Sequence, residues 1–272
     1  MRHTRNFYLT FTSLTFLLFH VASFSQEKKI NKNGHFYFSW GYNKEWYSAS
    51  NIHIDQPSLN NNYTFQKTLA HDHIGWDKLF QRALTIPQYN YRLGYFFDQK
   101  QNWGFELNFD HTKYVVTEEQ TVHITGTMNN VPVDMFAITT DAVLRYQLNN
   151  GANFFLFNLV RRLNIFTSSS EKIQVDFLGK AGVGPVIPHV QNTIFGNENT
   201  PHFQFGGWNT GLEATVKAIF FKHIYLEFCG KFDYARYSRL KIYEGFANHS
   251  FFTRELILNL GYTFSIGKKT DK

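Results

Sequence analysis

Charged side chains recur at spacings of two or four positions inside otherwise apolar stretches of this 272-residue chain. Glu213 and Lys217 lie in one such stretch, and Glu227 and Lys231 lie in the next. Because successive residues of a strand point to opposite faces, these spacings put both charges of a pair on one face. Opposite charges on one face can form ion pairs, or they can pass a proton or an ion. The candidate residues are Glu45, Arg92, Glu106, Asp110, Asp176, Lys180, Glu213, Lys217, Glu227, Lys231, Asp233 and Glu255.

Three residues of metal-binding type are adjacent in the chain: His71, Asp72 and His73. Imidazole and carboxylate groups bind divalent metals. A zinc site needs further ligands at recognisable spacings, and the surrounding sequence supplies none. We therefore predict no metal site and no cofactor.

A second constellation lies near the end of the chain. His249 and Ser250 are adjacent, and Glu244 is close to them in sequence. A serine, a histidine and an acid are the groups that an acyl-ester hydrolase uses. Adjacent residues of a strand point to opposite faces, so this pair is poorly placed to share a hydrogen bond. We predict no catalytic residues here, and whether the chain is an enzyme stays open.

Blocks of alternating polarity position most of these candidates. Eight blocks cover residues 35–46, 87–97, 102–111, 152–166, 172–184, 210–220, 224–234 and 255–264. Such alternation is typical of strands with one apolar and one polar face, and most blocks exceed the usual length of about five or six residues. The last block places apolar residues at every second position, with polar residues in most gaps: Leu256, Leu258, Leu260, Tyr262 and Phe264.

The connections between these blocks alternate in length. Short connections lie at residues 98–101, at residues 167–171 and near Lys222. Within the second long connection, residues 121–134 predict a hairpin with Asn129 and Asn130 as its turn. Short turns at one end and long loops at the other are typical of outer-membrane barrels. The long connections cover residues 47–86, 117–151, 188–205 and 241–250.

These features share one physical cause. Lipid cannot hydrogen-bond a backbone, so a sheet that spans a membrane must close on itself. We therefore predict an all-β fold, a closed antiparallel up-and-down transmembrane β-barrel of about eight strands, with ten strands as the alternative. Its turns would be periplasmic and its long loops extracellular. A soluble sandwich or barrel would explain the alternation, but not the strand length or the asymmetric loops.

The twelve charged residues named above would then face the lumen of the barrel. An eight-stranded barrel is about wide enough inside to hold side chains alone. Opposite charges should therefore pair and plug the interior. The alternative is a path for protons or ions.

The N-terminus has the layout of a secretory signal peptide. Arg2 and Arg5 precede an apolar run, and small residues follow it. We predict a signal peptide at residues 1–25, a barrel domain at residues 26–267, a polar tail at residues 268–272, and location in the outer membrane. A single cysteine, Cys229, leaves this exported chain without an internal disulfide.

Charge and hydropathy exclude nucleic-acid-binding proteins and helical membrane proteins. The 27 lysines and arginines exceed the 21 acidic residues and give a net charge of +6. They do not form a basic cluster with interleaved aromatic residues on one element, so we predict no nucleic-acid partner. After the signal peptide, no stretch approaches the roughly 20 apolar residues of a spanning helix.

The chain resembles the small outer-membrane β-barrel proteins of Gram-negative bacteria, in the general shape of the OmpA transmembrane domain, OmpX and PagL. The phrases SFSQ, IPQYNYRLGYFF and GFELNFDHTKYV are similar to barrels of Bacteroidetes. The final strand ends in GYTF, similar to the terminal signal that the barrel assembly machinery reads, although SIGKKTDK follows it. The resemblance implies outer-membrane lipid and that machinery as partners. PagL carries its catalytic His and Ser two positions apart, and this chain departs from that spacing.

From these features we predict a non-enzymatic outer-membrane barrel with a plugged polar interior, which acts in surface interaction or envelope integrity. One alternative is a lipid-modifying enzyme of the outer leaflet, similar to a lipid A deacylase. Another is a narrow channel. The long loops are the candidates for contact with a surface partner.

Overall fold

The computed structural model describes residues 34–73, 88–98 and 100–266. The predicted signal peptide at residues 1–25 and the predicted tail at residues 268–272 lie outside the described residues. Within the described ranges, no helix is long and apolar enough to cross a membrane.

The described chain is all-β, with one antiparallel sheet and a short 3-10 helix at Pro57–Leu59. Its strands are β1 (Gly34–Tyr47), β2 (Ser50–Gln56), β3 (Asn61–Thr68), β4 (Ala70–His71), β5 (Tyr89–Phe96), β6 (Trp103–His111), β7 (Tyr114–Val116), β8 (Thr121–Met128), β9 (Val131–Ile138), β10 (Leu144–Leu148), β11 (Phe154–Thr167), β12 (Ile173–Val186), β13 (His189–Ile194), β14 (Asn197–Glu198), β15 (His202–Phe203), β16 (Gly207–Phe220), β17 (Ile224–Ile242) and β18 (Gly245–Ile266).

The longest strands pair in a circuit that returns to its start. β1 pairs with β5, β5 with β6, β6 with β11, and β11 with β12. β12 then pairs with β16, β16 with β17, and β17 with β18. β18 pairs with β1 over the full length of β1, from Gly34 opposite Ile266 to Tyr47 opposite Thr253. We call this circuit the ring.

The predicted count of about eight strands is wrong for the sheet, which contains 18 strands. Except for β7, the additional strands come from the connections that the sequence predicted as long loops. A long connection carries many backbone N–H and C=O groups that need partners, and strand pairing supplies them. β2 to β4, β7 to β10 and β13 to β15 form in this way, and they surround the ends of β17 and β18. We call this assembly the crown.

The predicted long loop at residues 241–250 is also wrong. β17 continues to Ile242 and β18 begins at Gly245, so a tight turn joins them. Two residues of β17, Ser238 and Arg239, oppose the single residue Asn248, which is a β-bulge. The bulge shifts the alternation of buried and exposed residues in β17 by one position. The alternation of apolar and polar residues in the sequence is therefore interrupted there.

The predicted hairpin at Asn129 and Asn130 is confirmed. β8 and β9 flank these two residues, and both have positive φ angles, 50° and 63°. Asparagine tolerates this left-handed conformation. A two-residue hairpin turn needs it at both positions, because the twist of the turn then matches the twist of the two strands. The hairpin extends the crown away from the ring.

The two faces of the ring have opposite chemistry. On β17, Leu226 and Phe228 are 45% and 56% exposed, whereas the intervening Glu227 is fully buried. An exterior of exposed apolar side chains around a polar interior is typical of a membrane barrel. We call the exposed set the apolar belt: Phe38, Trp40, Tyr91, Leu93, Trp103, Phe105, Leu107, Phe157, Leu159, Val183, Leu212, Val216, Leu226, Phe228, Phe232, Leu256, Leu258, Leu260 and Tyr262.

The crown has an apolar core of its own. Ile52 and Phe65 from β2 and β3 pack with Ile124 from β8 and Tyr146 from β10. Tyr237 of β17 belongs to the same core because it lies beyond the apolar belt. The interior of the sheet therefore changes from polar within the ring to apolar within the crown.

We expect the substitution Leu258→Arg to lower the free energy of unfolding by roughly 2–4 kcal/mol in lipid vesicles, because it places a charge near the middle of the apolar belt. Val131→Arg is the matched control. Val131 is as exposed as Leu258, at 60% against 59%, but it lies in the crown, and its substitution should change stability by about 0.5 kcal/mol or less. Equal tolerance of both substitutions in denaturant titrations would contradict a lipid-facing belt.

Candidate functional site

The ring encloses the charged residues that the sequence singled out. All twelve are buried, and the most exposed of them, Glu213, has 6% of its surface accessible. They come from every strand of the ring except β11. Unpaired buried charges are strongly unfavourable, so the arrangement of the two signs decides what this interior does.

One rung of the ring carries five of these residues. Glu45 lies directly opposite Glu255, which lies opposite Lys231. Lys231 lies opposite Glu213, which lies opposite Lys180. Directly opposed side chains of neighbouring strands are close enough to interact. The rung therefore links five strands through their side chains as well as their backbones.

The centre of the interior is a cluster of two cations and two carboxylates. Arg92 Nη1 donates to Glu213 Oε2 at 2.6 Å and to Glu106 Oε1 at 3.2 Å. Lys180 Nζ lies 2.7 Å from Glu106 Oε2 and 3.1 Å from Glu213 Oε1. Each charge thus contacts two charges of opposite sign. Such a cluster holds its members in place.

A second cluster lies nearer the short turns. Lys217 Nζ is 3.5 Å from Glu227 Oε1 and packs on the rings of Tyr225 and Tyr37 at 3.4 and 4.2 Å. Asp176 also lies in this layer, directly opposite Lys217. Cations are attracted to the faces of aromatic rings, so these tyrosines help to hold the ammonium group.

Sequence reasoning missed three residues of this second cluster. Arg162 Nε lies 3.8 Å from Asp176 Oδ2, and Tyr37 and Tyr225 contact Lys217. The period of a strand identifies them. Each lies an even number of positions from a buried residue of its own strand, so it points to the same inner face. The nearly continuous apolar pattern of residues 152–166 hid that period for Arg162.

A third cluster lies at the crown end of the ring. Lys231 Nζ is 2.5 Å from Asp110 Oδ2, 3.2 Å from Asp233 Oδ2 and 3.6 Å from Glu255 Oε1. Glu45 accepts a hydrogen bond from Asn43 Nδ2 at 2.5 Å. Three carboxylates therefore share one ammonium group, and a fourth is bound by an amide.

Tyr47 closes the ring toward the crown. Its hydroxyl contacts the Glu45 carboxylate and lies 2.8 Å from the carbonyl oxygen of Lys113. Its ring packs on Tyr114 and Phe251 of the crown core, at 5.1 and 5.2 Å between centroids. The polar interior therefore passes directly into apolar packing, with side chains filling both regions.

The adjacent residues His71, Asp72 and His73 do not converge on one point. Asp72 accepts hydrogen bonds from Lys44 Nζ and, at 2.9 Å, from the backbone N–H of Glu45. His71 Nδ1 lies 3.3 Å from the hydroxyl of Thr117. Among the described residues, no three His, Cys, Asp or Glu side chains are arranged to hold a metal ion.

The structure separates His249 from Ser250. His249 is 5% exposed and points into the crown, whereas Ser250 lies on the outer face. Glu244 lies in the turn before β18 and accepts a hydrogen bond from Ser58 Oγ at 3.2 Å. Instead, His249 Nδ1 lies 3.4 Å from Ser50 Oγ, and Ser50 donates to the carbonyl oxygen of Ser250 at 3.0 Å. The two partners are 199 residues apart, and no sequence signal joins them.

Aromatic rings enclose His249 on several sides. The rings of Tyr114, Tyr146, Tyr237 and Phe251 lie 4.9–5.4 Å from it between centroids. Burial in this core, which lies beyond the apolar belt, lowers the pKa of His249 to about 3. The imidazole is therefore neutral at pH 7 and sealed from substrate. The Ser50 and His249 pair is a structural contact rather than an accessible nucleophile and base.

An apolar groove of about 790 Å³ lies against the outer face of the ring. Its lining residues include Leu93, Phe105, Leu107, Phe157 and Leu159 of the apolar belt. The lining also includes Glu106 and Asn158, which are buried in the polar interior of the ring.

The chain is similar in fold to solved outer-membrane proteins at low identity. Ail, the attachment invasion locus protein of Yersinia pestis, has 12% identity and a TM-score of 0.33, covering 85% of this chain and 99% of its own. The outer membrane protein AlkL has 8% identity and a TM-score of 0.38, covering 92% and 99%. The outer membrane protease OmpT of Escherichia coli has 8% identity and a TM-score of 0.35, covering 89% and 99%. At these TM-scores, the fold of this chain rests on its own strand pairings.

No protein-family profile matches the chain. No curated protein matches it in sequence at a significant level.

We expect Arg92→Leu to lower the free energy of unfolding by roughly 3–5 kcal/mol, because it leaves buried carboxylates without their cation. Arg145→Leu is the matched control. Arg145 pairs with Glu198 at 2.9 Å near the surface of the crown, and exposed pairs contribute about 1 kcal/mol or less. Denaturant titrations of both variants measure the difference, and equal effects would contradict a tightly coupled interior.

We expect acid to destabilise the crown through His249. The unfolded chain binds a proton near pH 6.5, whereas the folded chain binds it only near pH 3. The unfolded state therefore holds more protons between these values, so stability is full above about pH 6.5 and falls as the pH drops toward 3. Hydrogen exchange of crown amides at several pH values measures this slope. His249→Phe should flatten it, and an unchanged slope in that variant would assign the effect to other groups.

Proposed function

We propose that this chain is an exported outer-membrane protein with a plugged barrel, whose crown acts in surface interaction or envelope integrity without a catalytic role. The observation that carries this proposal is the inverted chemistry of the ring, with paired charges inside and an apolar belt outside. A water-soluble protein of this size rarely exposes so much contiguous apolar surface.

The backbone pairing supports a place in the membrane. Every strand of the ring has neighbours on both sides, so the ring has no open edge. Lipid cannot satisfy free backbone groups, and a closed sheet has none at membrane depth. Membrane lipid and, during insertion, the barrel assembly machinery are the partners that this placement requires.

A plugged barrel fits the interior better than a narrow channel does. Arg92, Lys180, Glu106 and Glu213 contact one another across the centre of the ring. An ion that passed through would have to break these pairs, and breaking a buried pair costs several kcal/mol. The aromatic packing of Tyr47 and the crown core lies beyond them.

A surface role also fits better than lipid hydrolysis does. An acyl hydrolase needs its serine and histidine in contact at a place that substrate reaches. Ser250 and His249 point to opposite faces, and the contact between His249 and Ser50 lies inside the crown. Neither serine therefore supplies an accessible nucleophile.

The crown presents an edge suited to contact with a partner. β9 pairs with β8 on one side, and within the described residues its other side has no neighbouring strand. Val131, Phe136 and Ile138 of β9 are 60%, 71% and 56% exposed. Exposed edges bind extended segments of other chains by strand addition. We infer that a surface partner contacts the crown at β9.

Cysteine labelling in intact cells tests the cell-surface placement. The single native cysteine, Cys229, is fully buried and gives little background. In the variant Val131→Cys, we expect a membrane-impermeant maleimide to label the crown on whole cells. Ser169→Cys is the matched control, because Ser169 lies in the exposed turn between β11 and β12 at the other end of the ring, and it should react only after the envelope is opened. Labelling of Ser169→Cys alone on whole cells would reverse the proposed orientation and remove the surface role.

A further inference from the structure

Four exposed cations lie on the outer face of the neighbouring strands β17 and β18, where the apolar belt ends. They are Arg236, Arg239 and Lys241 on β17 and Arg254 on β18. In the part of the chain that the structure describes, none of them forms an ion pair within 4 Å. A surface with four cations and no anionic partner among the described residues favours an anion.

The β-bulge of β17 creates this alignment. Without it, Arg236 and Arg239 would point to opposite faces, because they are three positions apart. The extra residue at the bulge turns Arg239 and Lys241 outward with Arg236, while Leu240 joins the buried core. The backbone N–H of Arg239 donates to Asn248 Oδ1 at 2.8 Å, which holds the bulge in place. Bulges that redirect side chains are common next to functional sites.

Aromatic side chains flank the cations at the same level. Arg254 lies directly opposite Trp46 of β1 and Phe232 of β17. Arg236 lies directly opposite Trp208 of β16. Trp46, Phe232 and Trp208 are 45%, 48% and 42% exposed. Exposed aromatic residues beside cations are typical of the level where hydrocarbon chains meet lipid headgroups.

Two acidic side chains lie near this surface without pairing with its cations. Glu244 follows Lys241 by three residues and accepts a hydrogen bond from Ser58 Oγ at 3.2 Å. Asp55 of β2 lies opposite Phe246, which lies opposite Lys241, so a full strand separates the two charges. The ring of Phe246 packs against the guanidinium of Arg239 at 4.1 Å. Among the residues that the structure describes, the guanidinium groups of Arg236 and Arg254 have no hydrogen-bond or ion-pair partner. Arginine binds phosphate through two parallel hydrogen bonds.

We propose that Arg236 and Arg254 bind phosphate groups on the headgroup of an outer-leaflet lipid. The two arginines are offset by four positions along paired strands, roughly 13 Å between their Cα atoms. Their long side chains cover that span, so a headgroup with two phosphates fits better than one with a single phosphate. The acyl chains would lie on Leu256, which follows Arg254 on the side of the short turns. This proposal rests on the proposed outer-membrane placement.

Other cations of the outer face do not belong to this site. Lys44 is neutralised by the carboxylate of Asp72. Arg161 packs on Trp103 at 4.8 Å at the opposite end of the ring. Arg161 and the exposed Lys100 therefore provide a matched control, because Arg161→Gln with Lys100→Gln removes two outer-face charges without touching the proposed site.

Native mass spectrometry of the delipidated full chain in detergent tests the proposal. The probes are diphosphoryl lipid A, its monophosphoryl and dephosphorylated forms, and inorganic pyrophosphate as a free competitor. We expect the wild type to bind the diphosphoryl lipid most tightly. The double variant Arg236→Gln with Arg254→Gln should bind it roughly 30-fold more weakly, because each cation near a lipid surface increases the affinity roughly fivefold. The matched control should bind as the wild type does.

Two outcomes would overturn the phosphate site: equal binding of the phosphorylated and dephosphorylated lipids, or equal weakening in both double variants. Full competition by pyrophosphate at the concentration of the lipid would overturn the lipid headgroup as the ligand and assign the site to free phosphate. Each sample is also run on SDS gels with and without heating. A closed, lipid-inserted barrel migrates differently once it is unfolded by heat. Loss of that shift in the wild type would count against the proposed function itself, whereas a normal shift with no lipid selectivity would count against the phosphate site alone.

Discussion

The constraint on which the rest of this structure depends is that lipid offers no hydrogen-bond partner to a backbone. A sheet at membrane depth must therefore pair all of its N–H and C=O groups within itself. The pairing of β1 with β18 meets this requirement, because it joins the first and last strands over 14 residue pairs, from Gly34 to Tyr47. Closure in turn divides the side chains of each strand into an outer set and an inner set, and each set meets a different environment.

The inner set explains why so many charges are buried. The space inside a small ring holds side chains and little else, so charges of opposite sign are pressed into contact. Arg92 and Lys180 each bind both Glu106 and Glu213, and these pairs couple strands that are distant in sequence. In the proposed orientation the crown lies above the membrane, where water surrounds the sheet and the constraint changes. There the interior becomes apolar, and the β-bulge of β17 redirects side chains to serve both the crown core and the cationic surface outside.

The faces of the ring could be predicted from the sequence because a strand has a period of two. Leu258 outside and Glu227 inside follow from that period alone. The crown could not be predicted in the same way. The bulge at Ser238 and Arg239 breaks the period, so the hairpin around Glu244 looked like a loop. The contact between Ser50 and His249 joins positions 199 residues apart. Pairings of that kind depend on the closed sheet, which no local pattern describes.

Hydrogen exchange at the seam between β1 and β18 tests closure most directly. In lipid nanodiscs, we expect the amides of β1 and β18 at this seam to exchange as slowly as the paired amides of β16 and β17, because β1 and β16 are each bonded to their partner along their full length. Two free edges at β1 and β18 would instead exchange rapidly while β16 and β17 remained protected. That result would contradict a closed ring, and with it the membrane placement and the plugged interior.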